Sequence, residues 1–289
     1  MRITVIGVPF NGDGTTPEIE NPAQTFRDEG LISLLRDEGH QVSDIGDLSI
    51  PSYTNTRDPI TKVLNFSTWR DMSVQLSKTL HDLLDKDTLP IMLGGDCSIL
   101  VGVLDAYKAR NLSLNLFFLD GHADFHDTNS SPTGEPADME LAALTGYSSK
   151  EIVTMTGRGP LLDKGNVVVY GINEYDLIDT SNIEVIDRKL IFEKGIESTF
   201  YTSLSLFQDS NLPLWLHFDV DVMDKAIMPA IHYPVEEGLS YNEALELFTL
   251  LRNTKKLVGI SIACYHPNFD IDMKGMKILL SLLNELFKE

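Results

Sequence analysis

The chain has 289 residues, and 43% of them are hydrophobic, which excludes a mainly disordered protein and allows a sizeable core. With 23 basic and 43 acidic residues, the formal net charge is −20, which disfavours binding to nucleic acid or to an anionic membrane surface but leaves metal cations and cationic small molecules as ligands. Two cysteines, Cys97 and Cys264, exclude a disulfide scaffold, and no apolar run reaches the roughly 18 residues of a membrane helix. Since the first residues also lack a signal-peptide pattern, we expect a cytoplasmic protein.

Apolar runs of strand length alternate with helical stretches along the whole chain. In the first part, strands are predicted at 3–8, 42–45 and 90–93, and helices at 25–38, 69–84 and 98–108. In the second part, strands are predicted at 114–119, 167–170, 214–218 and 257–263, and helices at 242–251 and 274–287. This alternation predicts a three-layer α/β/α sandwich with a mainly parallel sheet, formed by a single domain over residues 1–289.

Polar side chains follow four of the predicted strands, at the point where each strand ends. They lie in the segments 94–98, 120–127, 219–224 and 264–267. In open α/β sheets, ligands bind outside the carboxyl ends of the strands. We therefore expect a functional site at this edge of the sheet.

Two of these segments are rich in metal-binding residue types. Asp120, His122 and Asp124 alternate along the chain, so on an extended segment all three lie on one side. Asp219 and Asp221 repeat the spacing after another strand, and such carboxylates repel one another unless a cation lies between them. Oxygen ligands with an imidazole suit a divalent ion such as Mn²⁺, and this number of ligands could serve two ions that activate water. The alternative is that these residues only cap turns and helix N-termini.

At these positions the chain resembles the arginase–agmatinase–formimidoylglutamase family, the ureohydrolases. Residues 120–124 are similar to the family's Asp-Ala-His-x-Asp motif, and residues 217–225 to its Ser-x-Asp-x-Asp-x-x-Asp-Pro motif. Residues 94–98 are similar to its Gly-Gly-Asp-His-Ser motif. The resemblance covers nearly the whole chain, and the first two of these motifs together are specific.

This resemblance implies an arginase-like fold and a metal-dependent hydrolase. The family uses two Mn²⁺ ions, and a hydroxide held between them attacks a linear amidine or guanidino compound and cleaves a C–N bond. Asp124 would orient this hydroxide, and family members are often trimers or hexamers, which implies a homo-oligomer. The implied metal ligands are Cys97, Asp120, His122, Asp124, Asp219 and Asp221.

The first departure from the family pattern lies among these ligands. Cys97 stands where the family has a histidine, and a thiolate is a softer ligand that prefers Zn²⁺ over Mn²⁺. Zn²⁺ is therefore an alternative metal. A cysteine at this position also occurs in a branch of the family that hydrolyses N-hydroxyarginine.

Further departures concern proton transfer and substrate binding. Ala137 stands where arginases carry a proton-shuttling histidine, which leaves Glu135, Asp138 and His126 as candidate acids or bases, or as solvated loop residues. Cys264 stands where family members carry a glutamate that pairs with the substrate guanidinium, and a thiol lacks that bidentate contact. We therefore expect a substrate other than arginine or agmatine. Asp176 matches a position that arginases use for the substrate α-amino group.

Both cysteines follow strands that lead into the same predicted site. We hypothesise that their thiols form a soft metal corner or a redox-sensitive pair; the alternative is two small buried apolar side chains. For the whole protein, a metal-dependent hydrolase competes with a non-catalytic, arginase-like binding or regulatory protein with an impaired metal site. Retention of four mutually repelling carboxylates favours the enzyme, because a protein without catalysis has no evident need for them.

Overall fold

A computed structural model describes residues 1–14, 21–84, 87–174, 178 and 181–289. Its strands are β1 (Arg2–Val8), β2 (Gln41–Asp47), β3 (Leu89–Gly94), β4 (Asn115–Leu119), β5 (Val167–Tyr170), β6 (Glu184–Ile186), β7 (Leu214–Asp219) and β8 (Leu257–Ala263). They form one sheet in the order β2–β1–β3–β8–β7–β4–β5–β6, and every pairing between these strands is parallel. The predicted mainly parallel sheet is confirmed.

Helices cover both faces of the sheet. They are α1 (Pro22–Asp28), α2 (Leu31–Asp37), α3 (Phe66–Leu83), α4 (Leu100–Ala109), α5 (Glu140–Thr145), α6 (Lys150–Val153), α7 (Arg188–Lys194), α8 (Ile196–Leu206), α9 (Tyr241–Thr254) and α10 (Lys274–Phe287). One apolar cluster joins the sheet to α1, α2 and α7–α10, and a second joins it to α3–α6. The predicted α/β/α sandwich is therefore confirmed as well.

The middle strands are apolar because both of their faces are covered. All five residues of β4 are buried; Phe117 and Leu119 belong to one apolar cluster, whereas Leu116 and Phe118 belong to the other. This is the environment in which a parallel strand shows a continuous apolar run rather than an alternating one. Within the described residues, no helix is long and apolar enough to cross a membrane.

Two predictions of secondary structure need correction. The helix predicted over 25–38 is interrupted between α1 and α2, where Gly30 has a left-handed φ of 95° that a helix interior cannot hold. The strand β6 and the helices α5–α8 were not predicted. β6 has only three residues at the edge of the sheet and begins with the exposed Glu184, so it lacks a clear apolar pattern.

The strand order brings distant parts of the sequence together. β3, β8, β7 and β4 are successive neighbours in the sheet. Because all of them are parallel, their carboxyl ends meet at one edge. The polar segments that follow these four strands are therefore adjacent in space, although they span residues 94–267 in the chain.

Candidate metal centre

Each of the four central strands delivers one side chain to this edge. Asp120 follows β4, Asp219 is the last residue of β7, Cys264 follows β8, and Cys97 begins a 3₁₀ turn just after β3. Asp120 and Asp219 are buried and Cys97 is 1% exposed. The convergence expected from strand polarity is present in the structure.

One end of the cluster, which we call the His122 corner, consists of Asp120, His122 and Asp221. His122 Nδ1 lies 3.0 Å from Asp221 Oδ2, and Asp221 Oδ1 accepts the Gly121 N–H at 3.1 Å. Asp120 Oδ1 accepts the N–H of His122 at 2.7 Å. One ligand atom from each of the three residues lies within 4.8 Å of the others, which is close enough to hold one metal ion.

The other end, which we call the Cys97 corner, consists of Cys97, Asp219 and Cys264. The thiol of Cys97 donates a hydrogen bond to Asp219 Oδ2 at 2.6 Å, and its sulfur lies 3.7 Å from the sulfur of Cys264. It also lies 3.7 Å from Asp120 Oδ2. The two thiols that were predicted to face one site are thus in contact, between the carboxylates of Asp120 and Asp219.

Two buried side chains that were not predicted as ligands adjoin the Cys97 corner. Glu140 begins α5 and is fully buried, and its carboxyl group faces that of Asp124, with which it shares a hydrogen bond when one of the two is protonated. Its carboxylate, the Cys97 sulfur and a carboxylate oxygen of Asp124 lie within 4.8 Å of one another. No spacing rule marks Glu140 in the sequence, because it follows the long loop and its burial is a property of the folded chain.

His217 is the second such residue, on β7 two positions before Asp219. It is fully buried; its Nδ1 lies 2.8 Å from Ser261 Oγ, and its Nε2 has no partner among the described residues. A sequence signal for it does exist, because His217 occupies the serine position of the family's Ser-x-Asp-x-Asp-x-x-Asp-Pro motif.

Crowding shifts the carboxyl groups toward their protonated forms. Burial raises the pKa of Asp120 well above its ordinary value, and the charges of Asp219 and Asp221 raise it further. Burial and the charge of Glu140 likewise raise the pKa of Asp124. Without a cation, such groups hold protons, so a bound divalent ion would replace protons in the site.

Burial and neighbouring polar groups also shift the pKa values of the imidazole and thiol groups. Burial lowers the pKa of His122, but the charge of Asp221 and the hydrogen bond to it raise this pKa to about 10. Burial lowers the pKa of His217 to about 3. For Cys97, burial, the hydrogen bond with Cys264 and the charge of Asp219 raise the pKa well above its ordinary value. The thiol is therefore neutral unless a metal ion displaces its proton.

The donor set fits divalent cations. Four carboxylates and an imidazole are hard or borderline ligands, whereas Cys97 adds a soft one. The unpartnered Nε2 of His217 and the carboxyl of Glu140 are further ligand atoms in the same buried volume. Buried polar atoms are rarely left without partners, so their presence around the cluster agrees with a cation-binding role.

Two residues of the site have a backbone conformation that is unfavourable for side chains. Asp124 has φ 47° and Cys264 has φ 62°. Cys264 is held there by its N–H, which donates to the carbonyl oxygen of Gly95 at 2.6 Å. Such conformations cost on the order of 1–3 kcal/mol and are concentrated at functional sites.

The cluster lies at the bottom of a cavity of about 420 Å³. No lysine or arginine is among the described residues that line it. Its acidic lining residues are Asp124, Glu135, Asp138, Glu174, Asp219 and Asp221. A larger groove of about 740 Å³ lies at the opposite edge of the sheet, near Arg2 and Leu257, away from the ligand cluster. The acidic cavity is therefore the candidate binding site.

The three candidate acids or bases of the long loop all line the cavity but differ in their hydrogen bonds. Asp138 Oδ2 accepts hydrogen bonds from Ser131 Oγ and Thr133 Oγ1, which ties it to its own loop. His126 Nδ1 lies 3.2 Å from Ser130 Oγ. Among the described residues, the Glu135 carboxylate accepts only a long hydrogen bond from Tyr233 Oη at 3.5 Å, and burial, with the charge of Asp138, raises its pKa to about 7. Asp176 lies outside the described residues.

The chain is thus an all-parallel α/β/α sandwich whose central strands lead to carboxylate, imidazole and thiol side chains that could hold a metal ion. The comparisons with known proteins give the family. Residues 1–287 match the model of the Arginase family, so the chain belongs to the arginase family.

The alignments with individual relatives cover nearly the full length of both proteins. An arginase of Staphylococcus aureus is 25% identical over 295 aligned positions, which cover 99% of this chain and 97% of the relative. The crystal structure of arginase from Bacillus cereus superposes with a TM-score of 0.90 at 25% identity, covering 100% of this chain and 99% of that one. The native arginase structure from Bacillus caldovelox gives a TM-score of 0.92 at 22% identity, with coverage of 100% and 98%. The predicted family and fold are thus confirmed.

Proposed function

We propose that the protein is a metal-dependent hydrolase that cleaves a C–N bond of a cationic linear amidine or guanidino compound. The observation that carries this proposal is the meeting of Asp120, His122, Asp124, Asp219 and Asp221 below an acidic cavity. These are the positions that the resemblance assigns to the metal ligands. Membership of the arginase family supports the same class of reaction.

The ligands divide between two metal positions. His122 and Asp221 would hold one ion, Cys97 would hold the other, and Asp120, Asp124 and Asp219 would contribute to both. Bound divalent ions would act as Lewis acids and lower the pKa of water, with Mn²⁺ favoured by the carboxylates and Zn²⁺ by Cys97. Asp124 would accept a hydrogen bond from the attacking water and so orient it.

Glu135 is our candidate for the acid that protonates the leaving amine. It lines the cavity, its pKa is raised to about 7, and its carboxyl is bound less tightly than that of Asp138. A group with this pKa can hold and release a proton near neutral pH. It would take over the role for which arginases use the histidine replaced here by Ala137.

The cavity suggests a substrate that is cationic but differs from arginine. Its acidic lining without lysine or arginine attracts a positive charge. Cys264 places a thiol in the cavity at the position where a family glutamate would accept two hydrogen bonds from a guanidinium. We therefore propose an amidine or a substituted guanidine whose reacting end needs no bidentate anion.

One observation favours the alternative, a non-catalytic binding protein. The sulfur of Cys97 lies 2.6 Å from Asp219 Oδ2. Two such ligands of one tetrahedral zinc ion would be about 3.5 Å apart, since the metal–ligand bonds are about 2.3 and 2.0 Å long. For both residues to bind one ion, the Cys97 thiol would therefore have to lose its proton and lie farther from Asp219.

The test is turnover by metal-loaded protein. The purified protein is loaded with Mn²⁺ or Zn²⁺, its metal content is measured, and release of urea or ammonia is followed with a panel of cationic guanidino, N-hydroxyguanidino and formimino compounds. We expect two ions per chain and turnover of at least one compound. Asp124→Asn should reduce this turnover at least about 100-fold, because it removes both a ligand and the group that orients water.

Glu236→Gln is the matched control, since Glu236 is an exposed carboxylate paired with Lys225 outside the cluster. It should leave metal content and turnover unchanged. Protein that binds one ion or none and turns over no compound would contradict the proposal and favour the binding protein.

A further inference from the structure

His217 has an unusual environment for a buried histidine. It lies on β7, its ring stacks on Phe118 with centroids 5.0 Å apart, and it is fully buried. Its Nδ1 is satisfied by the hydroxyl of Ser261, which itself accepts a hydrogen bond from Trp215 Nε1. Its Nε2 has no partner among the described residues.

A buried nitrogen without a partner is costly, because the hydrogen bond it made to water in the unfolded chain is not replaced. Along β7, His217 is two residues before Asp219, so both side chains leave the same face of the strand. One ring nitrogen of His217, the sulfur of Cys97 and a carboxylate oxygen of Asp120 lie within 4.8 Å of one another. Since Nδ1 is already bonded to Ser261, Nε2 is the nitrogen available to a ligand at that point.

We propose that His217 is a metal ligand, whose Nε2 joins Cys97 and Asp120 in a Cys–His–Asp site with a preference for Zn²⁺. The proposal rests on the metal-binding part of the proposed function and adds a residue outside the ligand set implied by the family resemblance. Thiolate, imidazole and carboxylate together are ligands that zinc binds in tetrahedral sites.

The proposed site compensates for the loss of the family's histidine at Cys97. The family places imidazole after β3 and serine on β7, whereas this chain has the thiol of Cys97 after β3 and the imidazole of His217 on β7. Ser261 can accept the Nδ1 proton of His217, and this tautomer leaves the lone pair of Nε2 for the metal. Metal binding would release the Cys97 proton to solvent, so that the sulfur binds as thiolate.

The test counts ligands on zinc by X-ray absorption spectroscopy, on the wild-type chain at one and at two equivalents of Zn²⁺. We expect a zinc ion that carries both a sulfur and an imidazole ligand. His122 does not supply this pair, because it clusters with Asp120 and Asp221 rather than with Cys97. This measurement needs no variant and remains informative if a substitution at His217 impairs folding.

The matching variant is His217→Ser, which introduces the family's own residue. It should retain the sulfur, lose the imidazole from the sulfur-bearing ion, and bind that Zn²⁺ about tenfold or more weakly in a competition titration. His232→Ser is the control, because His232 is partly exposed and belongs to no ligand cluster of the described residues. Its zinc affinity and spectrum should equal those of the wild type.

The outcomes separate this proposal from the proposed function. Two bound ions and full turnover with an unchanged His217→Ser spectrum would overturn the role of His217 and leave the hydrolase standing. Sulfur-bearing zinc without imidazole, or zinc without sulfur at both equivalents, would also overturn it. A wild-type chain that binds no ion would overturn both proposals.

Discussion

The two corners of the ligand cluster differ in how their polar groups are satisfied. In the His122 corner, the imidazole, the carboxylates and the nearby backbone N–H groups pair with one another at 2.7–3.1 Å. Around the Cys97 corner, His217 Nε2 has no partner among the described residues, and the buried carboxyl of Glu140 meets the carboxyl of Asp124. A proton on His122 can balance carboxylate charge in the His122 corner, whereas a buried polar atom beside the Cys97 corner has no hydrogen-bond partner.

This difference between the two corners coincides with the positions at which the sequence departs from the family pattern. His122 and Asp221 match the family motifs, whereas Cys97 and Cys264 replace a histidine and a glutamate, and His217 replaces a serine. The His122 corner therefore retains the residue types of the family motifs, whereas in the Cys97 corner only Asp219 does. The comparison indicates that Cys97, Cys264 and His217 determine the chemistry of this corner together, since a thiol beside an unpartnered imidazole differs chemically from a lone thiol.

The largest expected effect comes from breaking the His122 corner with Asp221→Asn. We expect Mn²⁺ affinity to fall at least about 100-fold, because even substitutions behind a metal ligand cost 10–100-fold. Isothermal titration of the metal-depleted protein measures this affinity. Wild-type affinity in this variant would show that the retained corner does not hold the metal.

The same substitution also tests how the corner is stabilised without metal. It leaves His122 without the partner that raises its pKa to about 10. We expect a loss of about 2 kcal/mol in urea unfolding, less than the usual 3–5 kcal/mol for a broken buried pair, because repulsion on Asp120 is relieved as well. Glu174→Gln is the control: this carboxylate lies 3.9 Å from His122 but is 69% exposed, so its removal should cost less than about 0.5 kcal/mol.

Most of the architecture could be predicted because it depends on local patterns. Continuous apolar runs locate β4 and β7 in the sequence, and parallel strand polarity alone places Asp120 and Asp219 at one edge of the sheet. The break at Gly30 follows from its left-handed φ of 95°, which one glycine inside a helical apolar pattern does not reveal, and the short strand β6 is defined by its pairing with β5.

The site was predictable only where a motif marks it. Asp120, His122 and Asp124 share an alternate spacing that marks them as candidate ligands; His217 has the same spacing to Asp219 and Asp221, but no spacing marks Glu140. What draws attention to His217 and Glu140 is their complete burial beside the Cys97 corner, and that depends on how β7 and α5 pack. Sequence spacing alone cannot express this property, because it arises from atoms that are distant in the chain.

An intermediate effect is expected from Glu135→Gln, on the side of the cavity where Ala137 replaces the shuttle histidine. Because the pKa of Glu135 is raised to about 7, the carboxyl is protonated below that pH and loses its proton above it. If it acts as the acid, wild-type turnover falls as pH rises through about 7. Glutamine cannot transfer a proton, so kcat should fall about 10- to 100-fold at pH 6 and this pH dependence should disappear.

The measurement is a pH profile of kcat between pH 6 and 9 at saturating metal. His126→Asn is the matched control, because this side chain lines the same cavity and hydrogen-bonds within its loop; it should keep the wild-type profile. Asp138→Asn removes a charge that raises the pKa of Glu135, so it should move the limb to lower pH without abolishing it. If His126→Asn rather than Glu135→Gln removes the limb near pH 7, the assignment of the acid moves to His126.

The smallest effect comes from converting the Cys97 corner to the family pattern with Cys97→His and His217→Ser together. Cys97→His alone places a large ring beside the fully buried His217 and should lower stability by about 1–3 kcal/mol through overpacking. The double variant removes that crowding and supplies one imidazole from the family's position. It should recover stability and shift the Mn²⁺/Zn²⁺ affinity ratio about tenfold toward Mn²⁺, because the imidazole bound there is then no longer accompanied by a thiolate. Urea unfolding and metal titrations of the wild type, the two single variants and the double variant give the coupling energy between residues 97 and 217. If the effects of the single variants simply add, the two residues do not act on the same ion.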